Sequence, residues 1–170
     1  MPPLIFDSTA LIYLAKTSFL QLVGQLHDEK LMPPTVHMEV VTKGKQKGAP
    51  DAAIIERLTA AGIIRVKEVE DARLFDALRR NPRLHKADAE VIVLAKEIGG
   101  IAILDEEVAR SVADVYEVKN RGTVYIIFRF FKTKLISTEQ ARGAIDQMIS
   151  AGWRCSTALY VEIMKHLAEG

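Results

Sequence analysis

Short apolar runs that alternate with helix-like stretches constrain the fold of this chain more than any other feature. Strands are predicted at residues 4–6, 30–32, 63–69, 101–104 and 116–118. Helices are predicted at residues 10–23, 35–41, 51–61, 70–80, 87–98 and 106–113. Strands that alternate with helices across short connections indicate a parallel sheet with helices on both faces. The sequence therefore predicts an α/β fold.

Three further stretches complete this prediction. Residues 43–50, KGKQKGAP, are rich in Gly and Lys and end in Pro, which is typical of a flexible basic loop. Residues 123–131 are apolar and suit either a helix or a strand, of which we favour the helix. Residues 137–168 predict two helices with a break at Gly152.

The composition is that of one ordinary globular domain, because 170 residues are enough for a single core and 49% of them are apolar. The net charge of +1 gives no overall field for a polyanion, so a nucleic-acid site must come from local patches. A single cysteine, Cys155, excludes a disulfide framework and favours a reducing, cytoplasmic location. We expect no signal peptide and no membrane span, since neither pattern is present.

Two acidic residues follow predicted buried strands at the point where each strand ends. Asp7 follows the run LIF, and Asp105 follows the run IAIL. The carboxyl ends of parallel strands share one edge of a sheet, where open α/β sheets bind their ligands. A simpler interpretation is also open for both residues, because an aspartate at this position can merely cap the next helix.

Two more acids are predicted near that edge. Asp88 lies at the start of an otherwise apolar helix, and Glu39 shares an apolar helical stripe with Val36 and Val40. Asp88 could instead only complement the helix dipole, and Glu39 could lie at a boundary and reach solvent. Taken together, several carboxylates at one edge would repel one another, and a hard divalent cation such as Mg²⁺ relieves that repulsion.

Four short motifs contain these acids. They are D-S-T at Asp7–Thr9, E-V at Glu39–Val40, D-A-E at Asp88–Glu90 and D-E-E at Asp105–Glu107, with Ala109 and Arg110 shortly after. In this order and spacing they resemble the PIN domain family, in particular the PIN-like proteins related to VapC-type toxins. The resemblance covers about residues 4–131, and the tail resembles an extension found in one PIN-like branch.

The resemblance implies a three-layer α/β/α, Rossmann-like fold with a PIN-like catalytic domain at residues 1–132 and a C-terminal helical extension at 133–170 packed on it. It implies an endoribonuclease that uses Mg²⁺ or Mn²⁺, plausible as the toxin of a type II toxin–antitoxin pair. The catalytic acids would be Asp7, Glu39, Asp88 and Asp105, of which Asp7, Asp88 and Asp105 would be metal ligands. The supporting residues would be Ser8, Thr9, Glu90, Glu107 and Arg110. Ile103 and Leu104 depart from the family pattern, which often has Thr and then Asn or Arg before the fourth acid.

An RNA substrate needs cationic side chains near these acids. The candidates are Lys43 and Lys45 in the predicted loop, Arg79, Arg80, Arg83 and Lys86 before Asp88, and a third stretch with Arg129, Lys132 and Lys134. Solvated surface is the alternative for each stretch. His37 and His85 are interpreted as surface or packing residues. A homodimer and an antitoxin fit the resemblance, and an apolar stripe at Val161, Met164 and Leu167 suits core packing or self-association.

Two other classes of function stay open. The first is a catalytically weak or inactive PIN-like module that binds RNA or protein. The second is a phosphotransfer protein with Asp7 as the acceptor. The sequence D-S-T argues against haloacid-dehalogenase-like phosphatases, which need D-x-D at this position, and no acidic pair precedes Asp7 as in response-regulator receivers.

Overall fold

A computed structural model describes residues 1–170. Five parallel strands form one central sheet in the order β3-β2-β1-β4-β5. The strands are β1 (Leu4–Phe6), β2 (Lys30–Met32), β3 (Arg65–Val66), β4 (Ile101–Ile103) and β5 (Asn120–Arg121). The helices are α1 (Ser8–Lys16), α2 (Pro34–His37), α3 (Lys43–Gln46), α4 (Pro50–Ala60), α5 (Ala72–Arg79), α6 (Lys86–Ile98), α7 (Glu107–Val115), α8 (Thr123–Lys132), α9 (Thr138–Ser150) and α10 (Thr157–Glu169).

Helices cover both faces of the sheet, so the predicted three-layer α/β/α fold is confirmed. The central strands are buried on both faces: Leu4, Ile5 and Phe6 of β1 have no exposed surface, and all of β4 is buried. This burial explains why these strands read as unbroken apolar runs rather than as alternating patterns. No helix is long and apolar enough to cross a membrane.

The strand order reverses between β1 and β4. From β1 the chain moves outward to β2 and β3, then returns to β4 on the other side of β1 and continues to β5. Phe6 at the end of β1 lies beside Ile103 at the end of β4. Open α/β sheets bind ligands in the crevice outside the carboxyl ends of the strands at such a reversal. The residues that follow Phe6 and Ile103 therefore occupy the expected binding position.

The predicted helix at residues 10–23 is wrong in extent. α1 ends at Lys16, and a separate 3₁₀-helix covers Leu20–Gln25. The break follows from local polar contacts, since the Thr17 hydroxyl donates to the Leu14 carbonyl at 2.6 Å and Ser18 adopts a left-handed backbone with φ of 64°. The apolar period continues through the break, which is why the sequence indicated one helix.

The predicted flexible loop at residues 43–50 is also wrong. One helical segment runs from α2 through a π-helical turn, Met38–Thr42, into α3. Gly44 allows α3 to approach α4 closely, because a Cβ at this position would lie only 2.9 Å from the Cβ of Ala52 on α4. Tertiary packing of α3 against α4 thus overrides the weak helix propensity of the Gly and Lys residues. The helical segment ends before Gly48, whose φ is 68°.

The two edge strands differ from the prediction. β3 covers only Arg65–Val66 of the predicted 63–69, and β5 lies at Asn120–Arg121 instead of 116–118. α7 extends to Val115, and Glu117 then turns the chain with φ of 57° before it reaches the sheet. Edge strands bury little apolar surface, so the apolar pattern locates them poorly.

The C-terminal region forms three helices, and the helix favoured at residues 123–131 is confirmed as α8. α9 and α10 are separated near Gly152, whose φ is 105°. Ala141, Ala144, Ile145 and Met148 of α9 are buried in the same hydrophobic core as the sheet. The division into a domain at residues 1–132 and an extension at 133–170 stays a prediction.

Candidate functional site

Asp7 lies directly after β1 at the reversal of the strand order. Its side chain is 2% exposed, and its Oδ1 accepts a hydrogen bond from the Ala10 backbone nitrogen at 2.7 Å. Asp7 is thus the N-cap of α1, as the simpler interpretation required. Exposed aspartates cap helices equally well, so capping does not explain why this carboxylate is buried.

Asp105 follows Leu104 beyond β4, and it caps a different helix from the one that the sequence suggested. Its Oδ1 accepts the Thr123 backbone nitrogen at 2.9 Å, and its Oδ2 accepts the Thr123 hydroxyl. Asp105 therefore holds the start of α8, whereas α7 has no side-chain cap. The neighbouring Gly122 is needed for this approach, because a Cβ there would lie 2.9 Å from Asp105 Oδ1.

Asp88 lies in the first turn of α6, and it is near the same edge because its charge acts on Asp7. It is 7% exposed. The pKa of Asp88 is raised to about 6, mainly by burial and then by the negative charge of Glu106; His85 lowers it, and Glu39 adds a smaller rise. At neutral pH this carboxylate is charged at a cost in free energy.

Asp7 is affected by the same charges. Burial raises the pKa of Asp7 well above its ordinary value, and Asp105, Asp88 and Glu106 add to that rise, while the Ala10 hydrogen bond lowers it. Neither Asp7 nor Asp88 has a cationic side chain in an ion pair with it. The structure therefore brings Asp7, Asp88 and Asp105 into one unneutralised cluster.

Glu39 joins the cluster from its rim. It lies on the π-helical turn, it is exposed, and it accepts a hydrogen bond from the Ser8 hydroxyl. Ser8 thus joins α1 to the π-helical turn, a type of distortion that is frequent at functional sites. A cleft of about 260 Å³ opens here; it is lined by Ser8, Thr9, Glu39, His85, Ala87, Asp88 and Glu106.

Glu106 is the acid that the sequence reasoning missed. It lines the cleft beside Asp88 and acts electrostatically on both Asp7 and Asp88. The predicted supporting acid, Glu107, lines only a neighbouring cleft. The signal was present in the motif D-E-E, but choosing between two adjacent glutamates requires the direction in which the backbone leaves β4.

Two other predicted supporting residues bond outside the cluster. Glu90 accepts the Thr35 backbone nitrogen at 3.2 Å and so supports the start of α2. Arg110 donates from Nε to the Asn120 side-chain oxygen at 3.2 Å, which ties α7 to β5. Thr9 lines the cleft.

The predicted cationic residues do not form one surface. Lys45 pairs with Glu56 at 2.8 Å, Arg79 donates to the Leu84 carbonyl at 3.4 Å, and Lys86 lines a separate depression beside Glu90. Arg129 binds Asp28 and is not free for RNA. Lys43 and Arg80 are exposed, and Arg83 lines the neighbouring cleft, which Asp105 and Glu106 also line. Only Arg83 among these candidates is placed beside the carboxylates.

Carboxylate oxygens are the donors that Mg²⁺ and Mn²⁺ prefer, and a buried, unneutralised cluster of them gains from a cation. The donor chemistry of Asp7, Asp88 and Asp105 thus fits a hard divalent ion. In the present side-chain arrangement no group of three or more Asp, Glu, His or Cys residues could hold a metal ion. These carboxylates therefore match a divalent ion in donor type and charge, while their present positions do not form a set of ligands around one point.

A three-layer parallel sheet with carboxylates at its strand reversal defines an α/β protein with an acidic site. A family model described as PIN domain matches residues 3–169, and the chain therefore belongs to the PIN domain family. PIN domains are generally nucleases, and they generally use divalent metals. No curated protein matches the chain.

Proposed function

We propose that this chain is a divalent-metal-dependent endoribonuclease that hydrolyses RNA phosphodiesters. The observation that carries the proposal is the burial of Asp7 and Asp88, at 2% and 7% exposure, among acids and outside any ion pair. Buried charges are normally paired or bound to a metal. Strongly perturbed pKa values in a cleft are typical of functional sites.

Asp7, Asp88 and Asp105 would hold the cation. When bound, a divalent cation supplies an activated water and neutralises charge on the phosphate. Thr123 fixes the Asp105 carboxylate through two hydrogen bonds, and the backbone of α1 fixes Asp7 through Ala10. Glu39 and Glu106 line the cleft, where a carboxylate can orient water or accept a proton.

Manganese binding measured by calorimetry is the first test, since it does not require knowledge of the RNA target. Asp7→Asn and Asp88→Asn should each abolish binding by the folded protein. Asp76→Asn is the matched control, because Asp76 is an exposed aspartate on α5 that takes part in no ion pair. Wild-type protein that is folded and binds no manganese would refute the metal-dependent mechanism.

The biological role that we propose is the toxin of a toxin–antitoxin pair, acting in the cytoplasm and related to VapC-type toxins. Its support is the family together with the acidic cluster. Expression of the wild-type chain should arrest growth, and expression of Asp88→Asn at the same level should not. A partner protein that restores growth and co-purifies with the chain would be the antitoxin.

We also propose a homodimer. Val161 and Leu159 on α10 are 59% and 39% exposed, whereas Leu167 on the same helix is buried. The apolar stripe that the sequence indicated is therefore divided between the core and the surface. Val161→Glu should convert a dimer to a monomer in sedimentation, and a wild type that sediments as a monomer would refute the proposal.

A catalytically weak RNA-binding module is the second candidate. It is favoured by Asp105 and Glu39, which each bond to a hydroxyl of this chain, and by the apolar Ile103 and Leu104 before Asp105. RNA binding without manganese binding would identify this alternative.

A further inference from the structure

A second, larger cleft lies directly beside the acidic cluster. It has a volume of about 590 Å³, and Asp105 and Glu106 form one of its walls. Trp153 and Arg154, in the connection between α9 and α10, line the same cleft. Tyr13 of α1 also lines this space, which we call the Trp153 cleft. The C-terminal helices thus complete a pocket next to the candidate catalytic residues.

Two arginines line the Trp153 cleft from segments that are far apart in sequence. Arg83 precedes α6, and Arg154 follows α9. Both are exposed, and neither forms an ion pair, although acidic residues line the same cleft. Arginine binds phosphate oxygens through a planar, bidentate group, so two unpaired arginines form a pair of phosphate-binding positions.

Two aromatic residues, Tyr13 and Trp153, also line the Trp153 cleft. Tyr13 is half-buried. Burial raises the pKa of Tyr13, with Asp105 adding to the rise and Arg154 opposing it, so the phenol stays a neutral donor. Trp153 is 9% exposed and lines the cleft. Bases of single strands stack on such aromatic side chains.

We propose that the Trp153 cleft holds the nucleotide next to the scissile phosphate of a single RNA strand. Arg83 and Arg154 bind its flanking phosphates, and the ring and hydroxyl of Tyr13 contact its base. This inference rests on the proposed function for the identity of the substrate. It also makes the connection between α9 and α10 part of the substrate site rather than only a support for the core.

Trp153 is the only tryptophan of the chain and lines this cleft, so tryptophan emission reports on the surroundings of that one residue. The probe is a single-stranded RNA hexanucleotide, titrated in the presence of a chelator so that metal binding and cleavage do not contribute. Binding of the hexanucleotide should change the Trp153 emission. Arg154→Gln and Arg83→Gln should each weaken this binding and lower its dependence on salt, with a change of about 0.7 in the log–log slope for each lost phosphate contact.

Arg142→Gln is the matched control, because Arg142 is an exposed arginine on α9 that does not line the cleft. It should leave both the affinity and the salt dependence unchanged. Tyr13→Leu should weaken binding by about tenfold through the loss of base stacking, and Tyr13→Phe, which keeps the ring, should retain most of the affinity.

Equal effects of Arg154→Gln and Arg142→Gln would overturn the inference. So would a Trp153 emission that stays constant while fluorescence anisotropy of a labelled hexanucleotide shows saturation. If manganese-dependent cleavage persists in that case, the proposed function stands and only the subsite fails. If the protein binds no manganese but Trp153 responds to RNA as expected, the subsite stands and the nuclease proposal fails.

Discussion

Two aspartates at opposite ends of the sheet are equally buried and have opposite electrostatic surroundings. Asp7, beyond the carboxyl end of β1, and Asp28, before the amino end of β2, are each 2% exposed. Arg129 donates two hydrogen bonds to Asp28, from Nη2 to Oδ2 at 2.6 Å and from Nη1 to Oδ1 at 3.2 Å. Burial raises the pKa of Asp28, but the hydrogen bonds and charge of Arg129 outweigh it and lower the net value. For Asp7 the net shift is upward.

The difference separates a carboxylate that stabilises the fold from one that is available to a ligand. Arg129 also packs over the Tyr125 ring at 5.7 Å and has a raised pKa, so the Asp28–Arg129 pair is a closed structural unit. Asp7 has only a backbone donor and other acids around it. A charge that is neutralised within the chain gains little from an added cation, whereas the acidic cluster gains much.

The largest expected effect comes from breaking the structural pair. Arg129→Met should lower the free energy of unfolding by about 3–5 kcal/mol, because it leaves Asp28 buried and unpaired. Urea denaturation measures this change. The double variant Asp28→Asn with Arg129→Met should recover part of the loss. A loss below 1 kcal/mol in the single variant would mean that the pair contributes little.

A smaller effect of opposite sign is expected at the acidic cluster. The folded protein binds the Asp88 proton more tightly than the unfolded chain does, so ionised Asp88 destabilises the metal-free fold above about pH 6. This cost is relieved as the pH falls from about 6 toward the ordinary value near 4. Asp88→Asn should therefore raise the free energy of unfolding by roughly 2–3 kcal/mol at neutral pH.

Denaturation at several pH values, with a chelator present, measures the Asp88 effect. The difference between Asp88→Asn and the wild type should vanish near pH 4. A residual fall in stability with rising pH should persist in the variant, because the pKa of Asp7 is raised in the same sense. A variant that is less stable than the wild type at neutral pH would contradict the assignment of Asp88 as an unneutralised charge.

The hydroxyl that holds Asp105 should contribute less. Thr123→Val removes the hydrogen bond to Asp105 Oδ2 and keeps the backbone bond to Oδ1. We expect a loss of about 1.5 kcal/mol, typical of a hydrogen bond to a charged group. Calorimetry should also show weaker manganese binding, since the Asp105 carboxylate is then held by only one of its two hydrogen bonds. Unchanged manganese affinity would show that Thr123 serves only the start of α8.

The smallest effect is expected for the exposed pair of Lys45 and Glu56. Both side chains are about half exposed, and such pairs contribute about 0.2–1 kcal/mol. Lys45→Gln should therefore change stability by less than about 0.5 kcal/mol. It should also weaken RNA binding less than Arg83→Gln, because Lys45 is already paired. A larger effect of Lys45→Gln on RNA binding would restore the basic segment at residues 43–50 as an RNA surface.

The central strands and α6 were predictable because most of their residues are apolar and buried. β1 and β2 have the predicted bounds, β4 differs by one residue, and α6 begins one residue before its predicted start. The edge strands and the helical segment at Lys43–Gln46 were not predictable, because contacts between residues distant in sequence determine them. Gly44 against Ala52 is such a contact, and no local pattern encodes it.

The candidate site was predictable in outline for a similar reason. The sequence places Asp7 and Asp105 at strand ends, and the parallel topology requires those ends to share one edge. The choice of Glu106 over Glu107, and the use of Glu90 to support α2, depend on where each side chain points after the helices pack. Sequence spacing alone carries no such direction.

The sequence by itself determined the parallel sheet, its acidic carboxyl edge and the family pattern. Each of these features is encoded by short stretches of the chain, namely apolar runs and the acids that follow them. Only the tertiary structure decided which acids are left without a partner. Asp28 and Asp7 are both aspartates beside a buried strand, and the sequence does not distinguish them. The packing of α8 brings Arg129 to Asp28, a residue 101 positions away, and brings no cation to Asp7.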